Sequence, residues 1–311
     1  MQTLGISLLT ALVVSAVCAG SALAVKNPYN VNTWTQFKYC PYENTELTDC
    51  FVGRTQGGKE GGEFRYGKIS VKLSQPIVLQ GGFKGAGSEI EVFPAANGGE
   101  TLESPELKVN GGLGVINAKI QAEAGWPAAL KESFNAAKKA KETAAFAKIE
   151  MAGTECYTVP GCLSTENILA ESGTAFRLPL KVKVTSPWLA KLGGGPCQIG
   201  NDENPVMQHL TTGDAGAVGE GVFFEEATFT KFAVPDSRLV DLGWHIPKVA
   251  GATGCGGSEY EAYVDKALNI ALEVENENGE ERPKTGITWL KGTLYDGQRE
   301  AVQERHGKGE V

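Results

Sequence analysis

Six cysteines follow the first 24 residues of this chain, Cys40, Cys50, Cys156, Cys162, Cys197 and Cys255, and no other feature narrows its folding options as much. The segment ahead of them, MQTLGISLLTALVVSAVCAGSALA, carries no charge, has an apolar run centred on Leu8 to Val17, and ends in Ala22-Leu23-Ala24. Residues 1–24 therefore read as a secretory signal peptide cleaved before Val25, although the usual basic start is missing. The run is short and interrupted by Ser and Gly, which argues against a retained membrane span and leaves no transmembrane segment after cleavage. Val17 ahead of Cys18 does not suit a lipid-bearing cysteine.

An even number of cysteines behind such a leader predicts three disulfides in an oxidising compartment, and so a secreted or cell-surface protein. Fifteen pairings are formally open to six cysteines. Close spacing favours local Cys40–Cys50 and Cys156–Cys162 clips, leaving Cys197 and Cys255 for a long-range bond. Zinc is disfavoured, because there is no Cys-x2-Cys and no His beside a cysteine pair.

Glycine, 40 of 311 residues, is about twice its usual share and favours tight turns over long helices. The chain is long enough for a substantial core. A formal charge of −8 argues against nucleic acid as partner and against electrostatic capture by an anionic membrane.

Alternation of apolar and polar residues is the main structural signal. It places Ile69, Val71 and Leu73 on one face of a strand, and Leu178, Leu180, Val182 and Val184 on one face of another, with Arg177, Lys181 and Lys183 opposite. Pro179 marks the second as an edge strand, a bulge or an early strand position. Further strands are expected at 77–79, 89–92, 116–120, 228–234 and 286–294. Two helices interrupt the pattern. Residues 127–145 carry Leu130, Phe134 and Ala137 on one stripe after Pro127. Residues 258–272 repeat Tyr260, Val264, Ala267, Leu268 and Ala271 at helical spacing, with Ser258 and Glu261 as a capping box. The fold class expected is mainly β: antiparallel sandwich- or barrel-like sheets with two accessory helices, about 127–145 and 258–272. An N-terminal β-rich part would span 25–125 and a C-terminal one 126–296, in one domain or two, with 297–311 as a flexible tail.

Several phrases resemble a group of secreted actinobacterial proteins of uncharacterised function. They include YCPYENTELTDC, IVLQGGF at 77–83, LKVNGGL at 107–113, LPLKVKVTSPWL at 178–189, CQIGNDENP at 197–205, LTTG at 210–213 and AVPDSRLVDLGWHIPKVAGATGCGG at 233–257. The resemblance implies an exported or envelope-associated chain and supports the Cys197–Cys255 pairing. It supplies no active residues.

The chemistry expected of a catalyst is missing from the sequence. Its three histidines are His209, His245 and His306, each reading as a surface, packing or tail residue more readily than a general base. Gly85-Ala86-Gly87-Ser88 does not complete a nucleophile elbow, and no nucleotide-binding glycine motif occurs. The acidic stretch 273–281 lacks a calcium-loop pattern. Catalytic, cofactor-binding and metal residues are all read as none, with no cofactor. The tryptophans read as core packing, with Trp188 and Trp244 the ones whose exposure would matter. The leading expectation is a non-enzymatic exported protein acting structurally or through protein contacts. The alternatives are an extracellular binder of an apolar ligand or glycan, and a hydrolase. The partner classes are an envelope protein, a lipid or a glycan.

Overall fold

The computed structural model describes residues 33–58, 61–85, 91–153, 164–165, 176–193, 196–210, 222–223, 231–241, 251–274 and 286–311. Residues Thr33–Val311 cluster as one unit. The chain first lays down β1 (Asp49–Thr55), β2 (Gly62–Tyr66), β3 (Ile69–Lys72), β4 (Val78–Lys84), β5 (Glu91–Pro94) and β6 (Leu102–Glu103) in one sheet. A second sheet then takes β7 (Leu107–Lys108), β8 (Phe146–Met151), β9 (Ser164–Thr165), β10 (Phe176–Thr185), β11 (Cys197–Ile199) and β12 (Val206–Leu210). Strands β13 (Val222–Phe223) and β14 (Lys231–Asp241) return to the first sheet, β15 (Ala252–Thr253) to the second, and β16 (Gly286–Gln298) to the first.

Long β16 organises the first sheet. It pairs with β14 along one side, and with β2 and then β1 along the other, all antiparallel. The hairpin β2–β3 turns through Gly67-Lys68. Gly67 has φ +49 there, the left-handed conformation such a two-residue turn requires. A Cβ at Gly67 would also lie 2.7 Å from the Ala271 carbonyl oxygen.

In the second sheet β10 is central, between β8 and β9 on one side and β11 and β12 on the other. Pro179 therefore sits in an interior strand, away from any free sheet edge. Its carbonyl accepts from Ala152 N, just past the end of β8. In an antiparallel ladder a residue's nitrogen and carbonyl face the same neighbour. The proline nitrogen thus looks into the interval between β8 and β9, where no ladder bond is lost. The alternation across β10 holds: Leu178, Leu180 and Val184 are buried, while Lys181 pairs with Asp202 at 2.8 Å and Lys183 with Glu150 at 2.8 Å on the other face.

The expected sandwich or barrel with two accessory helices does not form. Two open sheets and five α-helices among the described residues make a mixed α/β fold: α1 (Ala118–Glu123), α2 (Ala128–Lys139), α3 (Pro187–Lys191), α4 (Gly257–Ala271) and α5 (Arg299–Gly307). Residues 116–120, expected as a strand, instead lead into α1. Asn117 caps it, its side-chain oxygen accepting from Lys119 N at 3.0 Å and Ile120 N at 3.1 Å. Ile116 and Ile120 are spaced four apart, so either period puts both on the buried side. Helix α2 buries Leu130, Phe134 and Ala137 as expected, but stops at Lys139. At α4 the N-cap is Gly256, at φ +100, and no Ser258–Glu261 box forms. The tail, expected to fray, is helical in α5, which buries Val302.

Cys40–Cys50 and Cys197–Cys255 are bonded, the pairs that spacing favoured. Cys156 and Cys162 lie outside the described residues. Two apolar cores result. A small one joins Trp34, Phe37, Tyr42 and Leu47 to Cys50 and Tyr295 on one face of the first sheet, closed by α5. The large one fills the space between the two sheets and the remaining helices.

Candidate functional site

The inner face of the second sheet is set by β10, whose Leu180, Val182 and Val184 alternate inward. In the ladder, Val182 lies between Ile149 and Ile199, and Val184 between Ala147 and Cys197. Opposite stand Phe64 and Tyr66 of β2 and Ile69 and Val71 of β3. Leu268 and Leu272 from the end of α4 close one side. Lys68 N donates to the Ala271 carbonyl at 2.9 Å, fixing the β2–β3 hairpin against that helix end.

These surfaces do not meet fully. Small side chains at Ala145 and Ala147 leave a cavity of about 70 Å³ between the sheets. One water needs roughly 10–15 Å³ of such space, so the cavity is several times larger than a hydration site. Leu180, Val182 and Val184 all line it; Leu180 and Val184 are buried and Val182 is half-buried.

Two side chains that carry polar groups, Tyr66 and Gln208, stand in the apolar lining. Gln208 on β12 pairs in register with Leu178 and points inward, between Val206 and Leu210 on the same face. It is only 1 % exposed, lines the cavity, and its Oε1 has no hydrogen-bond partner. A buried, unpaired carbonyl costs on the order of 1–3 kcal/mol, so its retention calls for an explanation. Thr288 on β16 lies opposite Phe64 in the ladder, fully buried, and its Oγ1 is also unpaired. Neither residue stood out in the sequence. The sequence Val206-Met207-Gln208-His209-Leu210 does not alternate, so nothing in it marked Gln208 as inward-facing.

The residues that the sequence did raise lie elsewhere. Trp188 is 1 % exposed and packs with Trp126 and Phe134, at 5.8 and 4.8 Å between ring centroids. Its Nε1 donates to Ser133 Oγ at 3.1 Å, and Trp126 Nε1 donates to the Tyr263 carbonyl at 2.8 Å. Neither lines the cavity. His306 rests against the Tyr42 ring at 4.6 Å. The backbone of His209 pairs with Arg177. Trp244, His245 and the side chain of His209 lie outside the described residues.

No family model, curated protein or solved structure matches this chain. What the cavity can hold is decided by its lining. Among the described residues that lining has no charged side chain, no histidine and no thiol. Such a lining can enclose a neutral, apolar molecule.

Carboxylates with shifted protonation lie apart from it. Burial, reinforced by the Asp49 carboxylate, pushes Asp296 up to about 8. Burial also raises Asp49. The two sit diagonally across β1 and β16, on either side of the Cys50–Gly297 pairing. Burial raises Asp265 to about 6, opposed by the Cys255 N–H it accepts at 2.9 Å beside the long disulfide. No group of three or more His, Cys, Asp or Glu side chains suited to a metal occurs among the described residues.

Proposed function

We propose that this chain is an exported binding protein that takes a small apolar ligand between its two sheets. The observation that carries this is the inter-sheet cavity of about 70 Å³, lined by apolar side chains of both sheets and of the end of α4, an apolar concavity of the kind small molecules occupy. The leader-like first 24 residues and the two described disulfides support export to an oxidising compartment. No helix among the described residues is long and apolar enough to cross a membrane.

A protein-contacting role calls for an exposed apolar patch. Among the described residues Tyr263 is the one large apolar side chain that is well exposed, so no such patch is assembled there. The binding reading is therefore preferred over a structural one.

Native mass spectrometry of protein purified from its own host should find an apolar molecule retained by the wild type. Ala147→Leu, which fills the cavity from β8, should lose it while unfolding at the same or a higher temperature. A folded wild-type sample that repeatedly carries no ligand, and binds no apolar probe at millimolar concentration, would overturn the reading.

A further inference from the structure

Asparagine followed by glycine is chemically self-reactive, because the glycine nitrogen can attack the asparagine side chain with no Cβ in the way. The chain contains three such pairs, Asn97-Gly98, Asn110-Gly111 and Asn278-Gly279. The third lies outside the described residues. We infer that Asn97 is a site of spontaneous deamidation in the folded protein, and that Asn110 is protected from the same reaction by its contacts with β3.

The reaction needs only water. The Gly98 nitrogen bonds to Asn97 Cγ, the Cγ–Nδ2 bond breaks, and the Gly98 proton leaves with that nitrogen as ammonia. Water then opens the five-membered imide at either carbonyl, leaving aspartate or isoaspartate.

Both described pairs are exposed, so accessibility does not separate them. Hydrogen bonding does. Asn97 and Gly98, at φ +58 and +78, are the middle residues of a type I′ turn, closed by Gly99 N donating to the Ala96 carbonyl at 3.1 Å. Among the described residues no hydrogen bond holds the Asn97 amide or the Gly98 N–H. A Cβ at Gly98 would meet nothing within 4 Å. The left-handed backbone at Asn97 is a strained one for a residue with a Cβ. Turning out of it to bring Gly98 N onto Cγ therefore costs little beyond the one turn bond.

Asn110 is held by side chain and backbone together. Its Nδ2 donates to Ser70 Oγ at 2.8 Å, and its N–H to the Ser70 carbonyl at 2.9 Å. Val109 N donates to the Ala145 carbonyl at 2.9 Å, and Gly112 N closes the turn onto the Val109 carbonyl at 3.0 Å. Before Asn110 Cγ can swing toward Gly111 N, the Ser70 contacts must open. Opening two such bonds slows the reaction by about tenfold or more.

Conversion at Asn97 replaces a neutral amide by a carboxylate, and isoaspartate also lengthens the main chain of the turn by one carbon. Ala96 N in that turn donates to the Tyr39 carbonyl at 2.8 Å, next to the Cys40–Cys50 bond. The modification thus falls where the β5–β6 connection is fastened to the segment carrying Cys40.

The test incubates the intact folded chain at mildly alkaline pH in water enriched in oxygen-18, followed by peptide mapping with mass spectrometry over time. The Asn97 peptide should gain one heavy oxygen at least about tenfold faster than the Asn110 peptide. In the reduced, urea-unfolded chain the two rates should agree within about threefold, since both are then unconstrained Asn-Gly pairs. Ser70→Ala should raise the Asn110 rate at least about threefold in the folded chain and leave the Asn97 rate unchanged. Should that variant fold poorly, the wild-type rates decide alone. Equal or faster conversion of Asn110 in the folded chain would overturn the inference. So would a difference of the same size that persists after unfolding, or an Asn97 that stays intact in the folded chain while the unfolded chain converts.

Discussion

The small core around Cys40–Cys50 and the large core between the sheets both depend on side-chain atoms that are missing, and they use the omission in opposite ways. In the small core Cys50 pairs with Gly82 on one side and Gly297 on the other. A Cβ at Gly82 would fall 2.5 Å from Leu47 Cδ1, and one at Gly297 would fall 3.0 Å from the Phe37 ring. Those glycines let Leu47 and Phe37 settle directly onto the sheet. In the large core, Ala145 and Ala147 stand where longer side chains would reach the opposite sheet, and nothing moves in to replace them. One omission closes a core and the other opens one. The cavity thus belongs to the interface between the two sheets, where short side chains leave the space open.

The sharpest way to break this contrast is to truncate the small core. Phe37 is fully buried, and it packs under α5 with Trp34 at 6.1 Å between ring centroids. Phe37→Ala should cost about 3–5 kcal/mol, since the surrounding disulfide and sheet cannot collapse into the space. Equilibrium urea unfolding measures it. A loss below about 1 kcal/mol would show that the small core is as loosely packed as the cavity wall.

That core also shows what was legible in the sequence. The Cys40–Cys50 clip could be read from spacing, the Cys197–Cys255 bond as the pair left over and from the resemblance, and the inward face of β10 from alternation. Helix α5 could not. It buries Val302 and is held in part by residues more than 250 positions away: Arg305 lies over the Trp34 ring at 5.2 Å, and Arg299 Nη1 donates to the Tyr42 carbonyl at 3.3 Å. A helix whose apolar partners lie at the far end of the chain has no strong periodicity of its own. Helix α1 was hidden for a different reason, because Ile116 and Ile120 fit a period of two and a period near four equally well. The cavity was the least legible element. A void is a difference of volumes between sequence-distant strands, and single-strand patterns carry only the sign of each face.

The second comparison is electrostatic, between the apolar cavity lining and the carboxylate pair at the far end of β16. An unfolded aspartate loses its proton near 3.8, whereas Asp296 in the fold holds it up to about 8. Between those pH values the folded state binds more protons than the unfolded one, so stability falls as pH rises, by up to about 1.4 kcal/mol per unit. Asp296→Asn removes the titrating group and should flatten that slope. Ligand affinity for a neutral probe should stay within about twofold of wild type across the same range, because the cavity lining contains no titrating charge among the described residues. A pH-dependent affinity that tracks the stability curve would tie the two ends of the sheet together and erase the distinction.

The smallest effect is expected at the cavity wall itself, and there it is the most informative. Val182 lines the cavity and is only half-buried. Val182→Ala therefore removes methyl groups with few partners to lose, and should cost less than about 1 kcal/mol, well under a truncation in a filled core. It should also widen the cavity toward Ile149 and Ile199, which flank it in the ladder. A branched probe such as 2-ethyl-1-butanol should gain affinity relative to 1-hexanol in this variant. Urea unfolding and a paired titration read the two consequences on the same sample. If Val182→Ala destabilises as strongly as Phe37→Ala and the branched alcohol gains nothing, the space beside Val182 is filled in solution by the protein's own side chains, and the large core is packed no differently from the small one.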